Sequence, residues 1–150
     1  MAHTHVCCFM HMVFSTMERV KMLTPEARER LFPYLGGIAR ENGFTAVAVG
    51  GADDHVHLLL SLPATITIAR AAQLLKGGSS KWLREVHPQG RLFEWQEGYG
   101  AFSVSVSMIG ATKSYIENQV EHHRTKTFED EFVEFLERHH VSYDPRFVFG

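Results

Sequence analysis

The stretch from Phe44 to Leu62 constrains the fold more than any other part of the chain. Phe44 to Val49 alternates apolar and small residues, Gly50-Gly51-Ala52-Asp53-Asp54 has the chemistry of a turn, and His55 to Leu62 resumes as a second strand. That order predicts a β-hairpin. A strand pattern flanks it on each side, joined to it through a helix pattern. Upstream, the apolar run Val6 to Phe14 suits a buried strand. Thr24-Pro25-Glu26 then opens a helix, with Thr24 as N-cap and Pro25 at the first helical position. Leu31, Leu35 and Ile38 form its core stripe until Asn42-Gly43 stops it. Downstream, Thr65 or Thr67 can cap a second helix with Ile68, Ala71, Ala72 and Leu75 facing inward, and Gly77-Gly78-Ser79-Ser80 reads as a break or kink. Arg91 to Gly98 is irregular and aromatic, and Ala101 to Val106 alternates as a last strand. Ser107 is an expected N-cap for the helix carrying Tyr115, and Thr127 for a final helix with Phe128, Phe132, Phe135 and Leu136 inward. Strand, helix, strand, strand, helix, strand, then helices is an α+β order. It predicts a ferredoxin-like (split βαβ) antiparallel sheet with helices packed on it. The chain of 150 residues shows no repeat, linker or low-complexity segment, so it is expected to be one domain, 1–150.

Composition removes some classes of function. No apolar stretch approaches the roughly 18 residues of a membrane span, so no membrane partner is expected. The N-terminus lacks the pattern of a secretory signal. Cys7 and Cys8 are adjacent and cannot staple distant segments; in their apolar surroundings they read as reduced core thiols, which points to the cytoplasm. A net charge of −2 argues against bulk attraction to nucleic acid. The charge is nevertheless sorted by segment. Arg70 to Arg84 carries Arg70, Lys76, Lys81 and Arg84 with no acidic residue, whereas Glu129 to Glu137 carries Glu129, Asp130, Glu131, Glu134 and Glu137 with no basic one.

Three groups of residues carry possible chemistry. His55 and His57 share one face of a strand, with Val56 turned away. Tyr115, Gln119 and His122 recur at helical spacing as a polar stripe, where a packing face would carry Leu or Val. Ile116 and Val120 lie off that stripe as anchors. Two imidazoles and an amide oxygen can hold one metal ion, with a phenol beside it as nucleophile, a set suited to phosphodiester chemistry. The plainer alternatives are two polar residues on a half-solvated strand face and a half-buried core tyrosine. His3 and His5 repeat the spacing at a terminus, and the adjacent pairs His122-His123 and His139-His140 diverge on a helix and are poor bidentate sites alone. The third group, Lys76-Gly77-Gly78-Ser79-Ser80-Lys81-Trp82, joins cations, glycines, hydroxyls and an aromatic, and suits phosphate and base contacts. Its alternative is a helix break with Trp82 in the core.

The ordered set of motifs resembles one family. Asp54-His55-Val56-His57-Leu58-Leu59-Leu60, Leu75-Lys76-Gly77 with Ser79-Ser80-Lys81-Trp82, Trp95-Gln96-Glu97-Gly98-Tyr99-Gly100-Ala101-Phe102-Ser103-Val104-Ser105, and Tyr115-Ile116-Glu117-Asn118-Gln119 with His122-His123 together look like the single-tyrosine HUH transposases. These are encoded by the smallest bacterial insertion sequences, and their relatives act on repetitive extragenic palindromes. The resemblance implies metal ligands at His55, His57 and Gln119, and a nucleophile at Tyr115 that forms a 5′-phosphotyrosine before strand transfer. It implies single-stranded DNA with hairpin ends as substrate, contacted by Arg70, Lys76, Gly77, Ser79, Ser80, Lys81 and Trp82. It also implies a homodimer in which the tyrosine helix of one subunit can complete the site of the other.

Two imidazoles suit Mn²⁺, Co²⁺ or Zn²⁺ better than Mg²⁺, but cellular abundance makes Mg²⁺ the expected cofactor, with Mn²⁺ as substitute. A domesticated nuclease processing chromosomal palindromes is the alternative biology. A non-catalytic ferredoxin-like module binding single-stranded nucleic acid is the alternative class, and it would need neither H-x-H nor the aligned Tyr and Gln.

Overall fold

Alternation along the first strand divides the molecule into two sides. In the computed structural model, which describes residues 3–86 and 92–149, β1 (Phe9–Ser15) sends Met10, Met12 and Phe14 to one face and His11 and Val13 to the other. It is flanked by β3 (His55–Ser61) and β4 (Gly100–Val104), and β2 (Thr45–Gly51) lies beyond β3. The sheet order is β2-β3-β1-β4 and every pairing is antiparallel. This is the split βαβ arrangement the element order predicts.

Two helices cover the methionine face. α1 (Pro25–Glu41) starts where the Thr24 hydroxyl accepts from the Ala27 N–H, and ends at Gly43, whose φ of +82° a side-chain-bearing residue rarely adopts. α2 (Ile68–Val86) is capped by Thr67, whose hydroxyl accepts from the Arg70 N–H at 3.0 Å. Leu31, Leu35, Ala71, Leu75 and Leu83 pack there against Met12, Phe14, Leu58 and Leu60. The expected break at Gly77–Ser80 does not occur, and α2 runs through it. Gly78 allows α1 to pass close, because a Cβ there would lie 2.9 Å from Ile38 Cδ1. The Ser79 and Ser80 hydroxyls fold back onto the carbonyls of Leu75 and Gly77.

On the opposite face lie α3 (Ile109–Glu117), α4 (Gln119–His122) and α5 (Phe128–Arg138). α5 begins at Thr127 and buries Phe128, Phe132, Phe135 and Leu136 against Val13 and Phe102, as the periodicity requires. Ile116 anchors α3 against Ala48 and Leu59, while Val120 is 51% exposed and anchors nothing.

Several boundaries differ from the sequence expectation. β1 begins only at Phe9, so Cys7 is exposed, and Cys8 is half-buried at the edge of the core. β4 ends at Val104, Val106 is 65% exposed in a 3-10 turn, and the Ser107 hydroxyl pairs with Ser105 and does not cap α3. Of the irregular stretch, Arg91 lies outside the described residues, while Phe93 and Trp95 are buried beside Phe14.

Gly50 controls how closely the tyrosine helix approaches the sheet. A Cβ on Gly50 would overlap the main-chain carbonyl of Ile116, one residue past Tyr115. Gly50→Ala is therefore expected to lower stability by about 2–3 kcal/mol through a backbone clash. It should reduce activity further by displacing Tyr115. Denaturant unfolding checks the first effect, and activity measured well below the unfolding midpoint checks the second.

Candidate active site

His55 and His57 open β3 and are both fully buried. A half-solvated strand face is thus excluded: α5 and the Gln119 turn cover the pair. His55 Nδ1 lies 2.7 Å from Asp54 Oδ1, and His57 Nδ1 lies 2.7 Å from Nε2 of His11, itself buried on β1. Such partners behind an imidazole orient the ring and leave its other nitrogen facing the site. Those other nitrogens converge. Nε2 of His57 is 2.9 Å and Nε2 of His55 is 3.7 Å from Glu131 Oε1, and His55 Nε2 is 3.0 Å from Gln119 Oε1.

Tyr115 and Gln119 reach the same spot. The helix is interrupted at Asn118 (φ −108°, ψ 27°), which separates α3 from α4. Gln119 nevertheless stays aligned, because its Nε2 donates to the Tyr115 carbonyl at 3.1 Å and turns Oε1 toward the histidines. The Tyr115 ring stands edge-on to His57, with centroids 5.7 Å apart. Its hydroxyl donates to Glu131 Oε2 and lies 3.3 Å from His122 Nε2. The sequence-identified quartet His55, His57, Tyr115 and Gln119 is therefore assembled within one chain.

Three residues of the cluster escaped the sequence reading. His123 Nε2 is 3.0 Å from Gln119 Oε1 and 3.1 Å from Glu131 Oε1, and His11 and Glu131 are both buried. Glu131 had a detectable signal. Phe128, Glu131, Phe132 and Phe135 follow helical spacing, so a carboxylate stands on an otherwise apolar stripe. His123 had one as well, since it stands four residues after Gln119, the one-turn spacing that joins Gln119 to Tyr115.

The electrostatics follow from this crowding. Burial lowers the His57 pKa to about 4 against the opposing pull of Glu131, so the ring is neutral at physiological pH. Burial, with His57 alongside, likewise lowers His11. Burial would raise Glu131, but hydrogen bonds from His123 and His57 outweigh it and hold the carboxyl well below the usual range. Burial would lower His123, yet the Glu131 carboxylate raises it on balance. Burial and then Glu131 push the Tyr115 phenol far above its ordinary value.

The donor set fits a divalent cation. One ligand atom each from His55, His57, His123 and Glu131 lies within 4.8 Å of the others, and Gln119 Oε1 is beside them. Imidazole and carboxylate or amide oxygen together suit a borderline first-row ion.

The α2 segment presents a mixed picture. It packs on the methionine face of the sheet, opposite the histidine cluster. Arg70 and Lys81 are exposed, and Trp82 is half-buried, stacked on Tyr34 at 4.5 Å with Arg30 above it. Ser79 has no surface to offer a ligand, since it is fully buried and its hydroxyl accepts from Trp95 Nε1 at 2.9 Å. Gly77 and Ser80 lie mid-helix, where backbone N–H groups are engaged in the helix and cannot cradle a phosphate. The Lys76 ammonium donates to the carbonyls of Gln96 (2.6 Å), Glu97 (3.0 Å) and Gly98 (2.9 Å), which ties down the loop before β4. Among the described residues, no helix is long and apolar enough to cross a membrane.

Comparison with known proteins agrees with the geometry. Residues 4–119 match the family described as "Transposase IS200 like". The chain is 30% identical over 116 residues to the ISDra2 transposase TnpA of Deinococcus radiodurans, spanning 73% of this chain and 81% of that protein. The crystal structure of a candidate transposase from Deinococcus radiodurans superposes with a TM-score of 0.65 at 28% identity, covering 79% of this chain and 95% of the other. A REP-associated tyrosine transposase bound to a REP hairpin shares the fold, with a TM-score of 0.56 at 14% identity over 77% of this chain and 68% of the other. With the family match running from β1 through Gln119, the chain belongs to the IS200-like transposase family.

Proposed function

We propose that this transposase cuts single-stranded DNA with Tyr115 as nucleophile, forms a 5′-phosphotyrosine intermediate and then transfers the strand. One observation carries the reading: the Tyr115 hydroxyl, the Gln119 amide oxygen and the Nε2 atoms of His55 and His57 converge on one buried spot. A divalent cation, Mg²⁺ or Mn²⁺, bound by His55, His57 and Gln119 would supply Lewis-acid polarisation of a non-bridging phosphate oxygen.

The chain's own groups account for the rest. Tyr115 Oη bonds to phosphorus as the bond to the 3′-oxygen breaks, and that oxygen leaves as a hydroxyl with a proton from water. Glu131 Oε2 accepts the hydroxyl's hydrogen bond and orients it, and His122 Nε2, at 3.3 Å, is the acceptor in place for the phenol proton. Because burial and Glu131 raise the phenol pKa, the proton leaves only as the new bond forms. The phosphotyrosine ester conserves the energy of the broken bond, so a different 3′-hydroxyl can reverse the step without ATP.

Two strand ends need two tyrosines, and the acting form is accordingly a homodimer. Tyr115 reaches the His57 of its own chain, and in a dimer each site can be completed by its own tyrosine helix or by its partner's. Mixed dimers of Tyr115→Phe and His57→Ala chains separate the arrangements. They are dead in cis, whereas a tyrosine helix acting in trans restores one site.

A folded hairpin is the expected bound form, as in the REP-associated relative bound to its hairpin. The exposed Arg70 and Lys81, with Trp82, are the proposed contacts on α2, and Lys76 supports the adjoining loop. Similarity to insertion-sequence transposases favours a mobile-element role over processing of chromosomal palindromes.

The test is incubation with labelled single-stranded hairpin DNA and Mn²⁺, read on a denaturing gel. A protease-sensitive adduct supports the reading. Cleavage that leaves no protein on the DNA would replace it with water-driven hydrolysis. Arg70→Glu with Lys81→Glu should weaken hairpin binding about tenfold or more and flatten its salt dependence. Equal affinity for the hairpin and for random duplex would count against the interface.

A further inference from the structure

The cluster holds more donors than His55, His57 and Gln119, and neutral rings leave the inward nitrogens of His55 and His123 facing acceptors. His123 Nδ1 is 2.7 Å from the Lys126 carbonyl, which can only accept, so a neutral ring keeps its proton there. Its Nε2 then carries a lone pair, yet it faces two more acceptors, Gln119 Oε1 and Glu131 Oε1. Gln119 cannot be flipped to answer this, because its Nε2 donates to the Tyr115 carbonyl. His55 repeats the pattern, with Nδ1 on the Asp54 carboxylate and Nε2 toward the same two oxygens. Satisfying both rings by protons alone would require two imidazolium ions with centroids 4.4 Å apart. One divalent ion resolves the arrangement, since every inward lone pair then has a partner.

Two further observations point the same way. Glu131 is 2% exposed, and its ion pairs among the described residues are all with histidines, never with Lys or Arg. A buried carboxylate in that position needs a positive charge nearby. The donor atoms are also spaced as neighbouring ligands are: 2.9 Å from Glu131 Oε1 to His57, 3.1 Å to His123, and 3.0 Å from Gln119 Oε1 to His55 and to His123. Ligands held at about 2.1 Å from one ion in octahedral geometry are separated by roughly 3 Å.

We propose that His123 and Glu131 are metal ligands in addition to His55, His57 and Gln119, so that the α4–α5 segment closes the cation cage. This rests on the metal-assisted reading above and extends it, since both residues lie beyond the 4–119 match to the family. Glu131 Oε1 faces the histidines while Oε2 accepts from the Tyr115 hydroxyl, so one carboxylate would link a bound ion to the nucleophile. Three imidazoles with a carboxylate favour Mn²⁺ over Mg²⁺.

The experiment is Mn²⁺ and Mg²⁺ binding by calorimetry, without DNA, on the full chain and on Glu131→Ala, Glu131→Gln, His123→Ala and His55→Ala. Wild type should bind Mn²⁺ at least tenfold tighter than Mg²⁺. Glu131→Ala and His123→Ala should each weaken Mn²⁺ binding tenfold or more, with Glu131→Gln in between. Pulsed electron paramagnetic resonance of bound Mn²⁺ should count three imidazole nitrogens in wild type and two in His123→Ala, a readout that serves even if Glu131→Ala fails to fold. Two imidazoles in wild type, or Mn²⁺ affinity within threefold of wild type in both Glu131→Ala and His123→Ala, would overturn the proposal. If His55→Ala still abolishes binding in that case, the metal-assisted reading survives; if it too binds normally, that reading falls first.

Discussion

Tyr115→Phe is expected to bind hairpin DNA as wild type does and to form no covalent adduct. The substitution removes one oxygen, and the ring, edge-on to His57 and Phe135, has the same shape without it. The fold should tolerate the change, since the hydroxyl's partners, Glu131 and His122, remain in contact with other histidines and with the half-exposed margin of the site. A loss of stability of about 1.5–3 kcal/mol is expected from the lost hydrogen bond to a charged acceptor. Cleavage should fall by a factor of about 10⁴ or more, because no other group takes over as the nucleophile. Tyr99 and Tyr143 are the controls. Tyr99 lies ahead of β4, and the Tyr143 hydroxyl is engaged with Glu137 after α5; neither has a histidine cage beside its oxygen. Phe at either position should leave the adduct intact. An adduct that persists in Tyr115→Phe but vanishes in Tyr99→Phe or Tyr143→Phe would move the nucleophile.

The second large effect concerns the strand histidines. His55→Ala with His57→Ala should abolish metal-dependent cleavage, a loss on the order of 10³-fold or more. From sequence alone the fold would be expected to survive this change unaltered, on the view that histidines at a hairpin contribute little core. Their complete burial reverses that expectation. Each truncation empties packed space and leaves Asp54, His11, Gln119 or Glu131 short of a partner. The double variant should lose roughly 2–5 kcal/mol. Stability and function are separated by melting in the presence of Mn²⁺. Wild type should gain melting temperature with ion concentration, as any ligand of the native state dictates, and the double variant should not. A folded double variant that cleaves at the wild-type rate would dismiss the pair as metal ligands.

Much of this protein follows from local sequence. Thr24-Pro25 and Thr127 start helices where they stand, because a side-chain oxygen satisfies an N–H within three residues and needs no distant partner. The order of strands and helices determined the split βαβ sheet, since an antiparallel hairpin between two strand–helix units has few ways to pack. The alternation in His55-Val56-His57 put both imidazoles on one face, and helical spacing put Tyr115 and Gln119 on one stripe. Such periodicities are properties of the backbone and can be read from the chain.

Other features depended on what lies across space. Gly77 to Ser80 has the composition of a break, yet α2 passes through it because α1 packs closely at Gly78 and Trp95 seals Ser79. Lys76 is drawn to three loop carbonyls some twenty residues away in sequence. Above all, the charge of the active site was decided by tertiary structure. His11, His123 and Glu131 come from β1, the turn after α4, and α5, and no spacing in the sequence joins these three to one another. The physical reason is that a strand's period or a helix's cap is settled by neighbours along the backbone. The environment that orients an imidazole or keeps a buried carboxylate ionised exists only once separate elements have closed around it.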